Sequence, residues 1–354
     1  ERPTAGALGA ELQAGSAQAR AVAQIIQTVR PDVLVLQEFD YDPAALARFQ
    51  AAYLAVGQGG AAPIDYPYAQ AFPSNTGQPS GLDLDRDGAT DGPGDAWGFG
   101  RHPGQYAFAV LSRFPLGPAR TFQRFKWAAL PGARLPKTAD GPWYSPQALA
   151  GLPLSSKNHV DLTVALPGGP AHLLIAHPTP PVFDGPEDRN GLRNFDEIGF
   201  WARYLTPAAS GALVDDVGQA GGLAKGERFI VLGDQNADPL DGDSQPGAIA
   251  QLLNHPRVHP AVVDGAHVPT SPGGAARAKA EGRRGDPARH TAGWGLRVDY
   301  VLPSKDFQVR GAGVFWPAPE DPAAALVGEV PPSEPGGRAR PVSSDHRLVW
   351  VDVD

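Results

Sequence analysis

The sequence contains no cysteine, which excludes a disulfide framework, thiolate catalysis and a cysteine-ligated metal site. Methionine is also absent, which is unusual for a chain of 354 residues with an ordinary hydrophobic content of 42%. No apolar run approaches the length of a membrane span, and the polar start at Glu1-Arg2-Pro3 does not resemble a signal peptide. Any site must therefore be built from oxygen- and nitrogen-bearing side chains.

The chain also has fewer basic than acidic residues. The net charge is −8 and the isoelectric point is near 5.6, whereas proteins that bind duplex DNA without sequence preference usually carry a basic surface. The acidic net charge therefore argues against non-specific binding to duplex DNA. It leaves room for a small phosphorylated substrate, which needs only a few local cations or a metal ion.

Several well-known catalytic motifs are missing. The chain has no G-x-S-x-G nucleophile elbow, no H-E-x-x-H zinc motif, no G-x-x-x-x-G-K-[ST] phosphate loop and no G-x-G-x-x-G dinucleotide fingerprint. Serine hydrolases of the elbow type, zinc proteases of that signature, P-loop enzymes and dinucleotide-dependent enzymes are not indicated.

The hydrophobic pattern predicts strands alternating with a few helices. Residues 16–29 predict an amphipathic helix capped by Ser16, and a second helix is expected at about 194–205 with Asn194 as its cap and Glu197 as the reciprocal partner. We expect strands at 33–36 (fully buried), 107–112, 229–233, 297–303 and 347–353, and a hairpin of 160–166 with 171–176. We find no internal repeat or break in composition. The sequence thus predicts one α/β domain over residues 1–354, with loop insertions at about 57–105, 128–158, 240–290 and 316–341.

Polar residues collect where the predicted strands end. Glu38 follows the strand at 33–36, His177 follows the hairpin, Asp234 and Asn236 follow 229–233, and Asp345-His346 precede the last strand. Each has an ordinary interpretation, since Gly, Asp, Asn and Pro also make turns. If the last strand runs antiparallel to the others, however, all of these residues share one edge of the sheet, where ligands collect. Two carboxylates suit a hard divalent cation, an imidazole can donate to a phosphoryl oxygen, and an aspartate can take a proton from water.

Four motifs occur in a telling order: QE after a buried strand, G-D-x-N, R-x-D-Y-V-L-x-S and a terminal S-D-H. Together they resemble the endonuclease/exonuclease/phosphatase superfamily, the fold of DNase I, abasic-site endonucleases, neutral sphingomyelinases and inositol polyphosphate 5-phosphatases. The resemblance runs from about Ser16 to the C-terminus. It implies a four-layer α/β/β/α sandwich with long loop insertions.

The resemblance also implies roles for individual residues. Metal ligation is implied for Glu38 and Asp345. The implied catalytic residues are His177 at the scissile phosphate, Asp234 as the group that orients or deprotonates water, Asn236 as its support, Asp299 as an acceptor for the terminal histidine, and His346 at the phosphate. Asp299 could also merely brace the fold. Lys157 or His159 occupies the place of a basic phosphate contact.

The expected activity is hydrolysis of a phosphoester that depends on Mg²⁺ or Mn²⁺. The substrate is a phosphorylated small molecule, a lipid headgroup or a nucleic acid, and the acidic charge favours the first two. The competing hypothesis is a non-catalytic binding or cell-surface protein that retains the fold. Absence of cysteine fits an exported bacterial protein, so we expect an extracellular or cell-envelope location and otherwise a cytoplasmic one.

The resemblance further implies a first strand that ends in a site asparagine. This strand is not in the sequence from Glu1 onward. The strand either precedes Glu1 in the full gene or is absent; if it is absent, the core is expected to lose a central strand, which is one reason for keeping the binding-protein hypothesis.

An acidic loop stands apart from these motifs. Asp83, Asp85, Asp87 and Asp91, with Gly88, follow the first nine positions of a D-x-D-x-D-G calcium loop. Gly94 replaces the glutamate that usually closes such a loop. The pattern predicts either a structural Ca²⁺ that orders the 57–105 loop or an acidic turn.

Overall fold

The computed structural model describes residues 1–332 and 339–354. Part of the insertion expected at 316–341 therefore lies outside the described residues. No helix in the described ranges is both long and apolar enough to cross a bilayer.

The chain forms helices and strands in mixed order. The α-helices are α1 (Ala7–Ala14), α2 (Ala17–Val29), α3 (Pro43–Phe49), α4 (Pro146–Gly151), α5 (Arg189–Tyr204), α6 (Ala250–Leu253) and α7 (Pro272–Ala275). The strands are β1 (Val33–Gln37), β2 (Tyr68–Phe72), β3 (Phe108–Ser112), β4 (Leu116–Thr121), β5 (Lys137–Thr138), β6 (Gly141–Pro142), β7 (His159–Leu166), β8 (Gly169–Ala176), β9 (Phe229–Asp234), β10 (Asp299–Pro303), β11 (Val309–Val314), β12 (Glu329–Val330), β13 (Arg340–Pro341) and β14 (Val349–Val353).

The larger sheet carries most of the residues of interest. Its strand order is β10-β9-β8-β7-β4. The predicted hairpin forms its centre, with β7 antiparallel to β8, and β9 runs parallel to β8. Because β8 and β9 are parallel, both end at the same edge of the sheet, which brings the residues after Ala176 beside those after Gly233.

The strands of the other sheets are shorter. One sheet has the order β1-β3-β2, and a separate pair joins β11 to β14. Among these strands β1, β2, β11 and β14 each pair with one neighbour only within the described chain. The prediction that β1 is fully buried was wrong: only Leu34 is fully buried in it, because the strand lies at the edge of its sheet.

Alternating side chains divide the core into layers. In β3, Phe108 and Val110 face the larger sheet, whereas Ala109 and Leu111 face α1 and α2. In β9, Ile230 packs between the sheets, and Phe229 and Val231 pack beneath α5. This two-residue period places helices outside and two sheets inside, which confirms the four-layer α/β/β/α sandwich.

The two long helices pack on opposite outer faces. The prediction for α2 is confirmed, since the Ser16 hydroxyl accepts a hydrogen bond from the Ala19 N–H at 3.1 Å. The predicted start of α5 was wrong. This helix begins at Arg189, five residues before Asn194, and Asn194 and Glu197 lie buried on its inner face instead of capping its end.

Candidate active site

Asp234 occupies the middle of the site. It is the last residue of β9 and is 5% exposed. The preceding residue, Gly233, has φ 135°, and a Cβ there would lie 2.1 Å from the carbonyl oxygen of Ala176 and 2.8 Å from Nε2 of Gln37. Only a glycine permits this approach, so the G-D pair carries Asp234 close to the ends of β8 and β1.

Asp299 and His346 form a pair beside Asp234. Asp299 lies opposite Asp234 in the β9–β10 register, and its backbone N–H donates to the hydroxyl of Thr291 at 3.0 Å. The carboxylate of Asp299 accepts from Nδ1 of His346, with Nδ1–Oδ2 at 2.9 Å. Nε2 of His346 then points towards Oδ2 of Asp234, 3.8 Å away. The imidazole therefore lies between two carboxylates.

His177 approaches the same oxygen from the other side. Its Nε2 is 3.4 Å from Oδ2 of Asp234, and the side chain is 3% exposed. Within the described chain its Nδ1 has no hydrogen-bond partner. Burial, together with the charges of Lys157 and His346, lowers the pKa of His177 well below its usual value, so this imidazole is neutral.

The pKa values of His346 and Asp234 shift upwards, in contrast to that of His177. Burial disfavours a charged His346, but the charges of Asp299 and Asp234 and the hydrogen bond that Nδ1 donates to Asp299 outweigh it and raise the pKa of His346 well above its usual value. Burial also raises the pKa of Asp234 to about 7, with the positive charge of His346 opposing the shift and Asp299 adding to it. A carboxylate with a pKa near 7 is suited to accept a proton near neutral pH.

Two further polar side chains meet at the carbonyl oxygen of Pro178. Nδ2 of Asn236 donates to it at 3.1 Å, and Nζ of Lys157 lies 3.5 Å from it. Asn236 has φ 49°, and its N–H donates to Oδ1 of Asp234 at 2.8 Å. Burial lowers the pKa of Lys157, against the opposing charges of Glu197, Glu38 and Asp234. Lys157 and Asn236 thus both lie beside His177 and Asp234.

Glu38 and Asp345 lie at the rim. Both are exposed, and no hydrogen bond or ion pair engages either carboxylate among the described residues. Glu38 has φ 54°, a left-handed conformation that is uncommon outside glycine, and its carbonyl accepts from the N-terminal amine at 2.7 Å. Desolvation by the surrounding protein raises the pKa of its carboxyl group, with the charges of the N-terminal amine, Lys157 and His346 opposing the shift and Asp345 adding to it. Two free carboxylates at a rim are a donor set that fits a hard divalent cation.

A second set of metal-type ligands includes Asp234, Asp299 and His346, whose ligand atoms lie within 4.8 Å of one another. This set fits a metal less well, because an imidazole that donates to one carboxylate and faces another is protonated and has no free lone pair.

His159 does not lie at the site. It starts β7 under α5, where Nδ1 is bonded to the hydroxyl of Ser155 and Nε2 to the carbonyl of Glu197 at 2.8 Å. The ring packs against Phe200 and Trp201. Burial lowers its pKa to about 4. Its side chain points to the helix side of the sheet, so of the two basic candidates only Lys157 remains.

The acidic loop gathers three of its four predicted carboxylates. Ligand atoms of Asp83, Asp85 and Asp87 lie within 4.8 Å of one another, and Asp91 is not in this group. Asp95, which is buried, accepts from the N–H groups of Leu84 and Gly92. The loop is folded around its acidic residues.

Aromatic residues in the loops divide into two kinds. Trp127 and Tyr144 are buried and pack against each other, so they fill the base of a loop. Trp294 is 48% exposed, and its ring meets that of His346 edge-on at 5.0 Å. Trp294 therefore walls the site.

Three residues near the site were not predicted to support it. Thr291 holds the backbone of Asp299, and Asn194 and Glu197 bond to site loops, as described below. Polarity alone gave no signal for Thr291, and the other two were interpreted as helix caps.

The comparisons with known proteins agree with this architecture. The model of the Endonuclease/Exonuclease/phosphatase family matches residues 7–346. No curated protein sequence matches the chain. A solved endonuclease/exonuclease/phosphatase from Beutenbergia cavernae is similar with a TM-score of 0.51 and 17% identity. The alignment covers 96% of this chain but 66% of that one, so this chain spans just under two thirds of its length.

Two other solved structures are similar over more of their length. Beta toxin from Staphylococcus aureus has a TM-score of 0.46 and 13% identity, over 96% of this chain and 94% of that one. The mannosyl-6-phosphatase from Bacteroides thetaiotaomicron has a TM-score of 0.45 and 12% identity, over 99% and 95%. With a family match that covers nearly the whole sequence, the chain belongs to the endonuclease/exonuclease/phosphatase family.

Proposed function

We propose that the protein hydrolyses a phosphoester, with Asp234 as the base that activates water. One observation carries the proposal: Nε2 atoms of His177 and His346 face the same oxygen of a buried Asp234, at 3.4 and 3.8 Å. Three separate segments of the chain contribute these groups. Such convergence of titratable side chains at a strand edge is typical of a catalytic site.

Each side chain has a role that suits its charge. Asp234, with its pKa near 7, accepts the proton of the attacking water. His346, kept cationic by Asp299, binds a phosphoryl oxygen and offsets its negative charge. The neutral His177 donates a hydrogen bond from Nε2 to another phosphoryl oxygen. Lys157 and the amide of Asn236 hold the phosphate in position.

Glu38 and Asp345 would hold a divalent cation, Mg²⁺ or Mn²⁺, through carboxylate oxygens. Bound there, the ion supplies neutralisation of phosphate charge and stabilisation of the leaving oxygen. The left-handed backbone at Glu38 supports this assignment, because strained conformations of non-glycine residues cluster at functional sites.

The substrate we propose is a phosphorylated small molecule or a lipid headgroup. The net charge of −8 disfavours long anionic polymers such as nucleic acid. We also propose an extracellular or cell-envelope location. The loop of Asp83, Asp85 and Asp87 would then bind Ca²⁺, which is abundant outside cells, and the ion would order the surrounding loop.

The test is a phosphate-release assay on a panel of inositol phosphates, nucleotides, sphingomyelin and nucleic acid, together with generic mono- and diesters. We expect activity with Mg²⁺ or Mn²⁺ that EDTA abolishes and that Asp234→Asn reduces at least about 1,000-fold, as for loss of an essential base. Asp216→Asn is the control, since Asp216 lies beside the edge strand β4. Full activity of Asp234→Asn would refute the mechanism. Wild-type protein that is inert on the whole panel would favour the binding-protein hypothesis.

A further inference from the structure

Two buried polar residues on α5 reach the loops that carry the site. Asn194 and Glu197 are 0% and 1% exposed and lie three positions apart, which places them on the same face of the helix. Hydrophobic neighbours such as Ile198 and Trp201 already pack that helix on the sheet. A carboxylate and an amide in such a place are costly to bury unless their polar atoms are used. Both oxygens of Glu197 and Nδ2 of Asn194 are hydrogen-bonded, whereas Oδ1 of Asn194 has no partner among the described residues.

Glu197 joins two of the loops. Its Oε1 accepts from the N–H of Ser156 at 2.6 Å and from the Ser156 hydroxyl at 3.0 Å. Its Oε2 accepts from the N–H of Thr179 at 2.6 Å. Ser156 adjoins Lys157, and Thr179 is two residues after His177. The carboxylate therefore fixes the phosphate-contacting lysine relative to the histidine.

Asn194 joins the second loop to a third. Its Nδ2 donates to the carbonyl of Thr179 at 2.8 Å and to the carbonyl of Gln235 at 3.0 Å. Gln235 directly follows Asp234. Because both partners are acceptors, this position needs a donor, whereas the position of Glu197 faces donors only and needs an acceptor.

We propose that Asn194 and Glu197 are positioning residues that hold Lys157, His177 and Asp234 in register. Each hydrogen bond from these two side chains ends within two residues of Lys157, His177 or Asp234. None of them involves the side-chain atoms that are assigned to the phosphate or the water. This inference rests on the proposed phosphoester hydrolysis. It predicts an effect on turnover without direct contact to the reacting atoms.

The experiment compares Glu197→Gln with Asp216→Asn. Asp216 is a matched control because it too accepts from two main-chain N–H groups and one hydroxyl, those of Gln123, Arg124 and Thr121, beside the far strand of the sheet. In Glu197→Gln, one side-chain oxygen is replaced by an NH₂ that opposes a main-chain N–H. We expect kcat to fall about 100-fold, the effect of displacing catalytic groups by about 1 Å, with KM changed less than about threefold. Asp216→Asn should retain kcat.

A second measurement reads the loops directly. Amide hydrogen exchange at Ser156 and Thr179 should accelerate in Glu197→Gln and stay unchanged in Asp216→Asn. If Glu197→Gln does not fold, Asn194→Leu, which is similar in size and loses only the two donated bonds, should show the same loss of kcat. Wild-type kcat in the folded variant, or an equal loss in Asp216→Asn, would overturn the proposal. Inert wild-type protein would instead contradict the proposed function. The exchange data would still show whether Glu197 holds the loops of Ser156 and Thr179 in place.

Discussion

Removing the charge of Asp299 should shift the whole pH profile of activity to lower pH. In Asp299→Asn the amide oxygen still accepts from Nδ1 of His346, so the ring keeps its orientation. The negative charge, which raises the pKa values of both His346 and Asp234, is lost. Activity requires Asp234 deprotonated and His346 protonated. The acid limb therefore follows Asp234, and the alkaline limb follows His346.

The two limbs should move by different amounts. A hydrogen-bonded opposite charge shifts a pKa by about 1–3 units, so the alkaline limb should fall by that much. The acid limb should fall by less, because burial and not Asp299 is the main cause of the raised pKa of Asp234. Above the new alkaline limb, each unit of displacement costs about tenfold in kcat/KM.

The assay is phosphate release from pH 5 to 10 at saturating Mg²⁺, with Asp216→Asn as a control of equal charge change. Phosphate is measured instead of a coloured leaving group, whose own ionisation would distort the profile. An alkaline limb that stays in place in Asp299→Asn, or an acid limb that moves to higher pH, would refute the assigned roles of the pair.

Three further outcomes follow from the structure. In Gly233→Ala the added methyl group would overlap the carbonyl of Ala176, so chemical denaturation should show a free energy of unfolding lower by about 1–3 kcal/mol. Activity should also fall as Asp234 moves, and wild-type stability would contradict the close approach. Ser16→Ala removes the cap of α2 and should cost about 1 kcal/mol in urea unfolding, whereas the exposed Thr28→Ala, next to the end of the same helix, should cost less. Calorimetric titration should detect Ca²⁺ binding that Asp85→Asn weakens at least about tenfold, and an identical titration curve for the variant would exclude the loop as the site.

Local pattern was sufficient to predict most strands and the residues at their ends. Apolar stretches joined by PGGP located the hairpin, a continuous apolar run located β9, and the glycine and polar residues after Leu232 marked where that strand ends. The position and the end of a strand depend on residues that are close together in the sequence, so they can be predicted from the sequence alone. Asp234 and His346 were accordingly noted as residues at strand ends, whereas Asp299 was named only through the family resemblance.

Long-range packing decided the rest. Asn194 and Glu197 match a capping pattern, yet the helix begins five residues earlier, at Arg189, and both side chains bond to distant loops instead. His159 is the first residue of β7 and points under α5, whereas Lys157 lies in the loop before the strand and its Nζ approaches the carbonyl of Pro178. Strand periodicity would place positions two apart on the same face, so the conformation of the loop separates the two residues. Burial of β1 depended on its place in the sheet, which no local pattern records.

The exposed indole of Trp294 can serve as an intrinsic optical reporter of the site. It lies edge-on to His346 at 5.0 Å and is 48% exposed, so a ligand that covers His346 also changes the surroundings of the indole. We expect ligand binding to change the tryptophan fluorescence of the protein, and Trp294→Phe to remove that change.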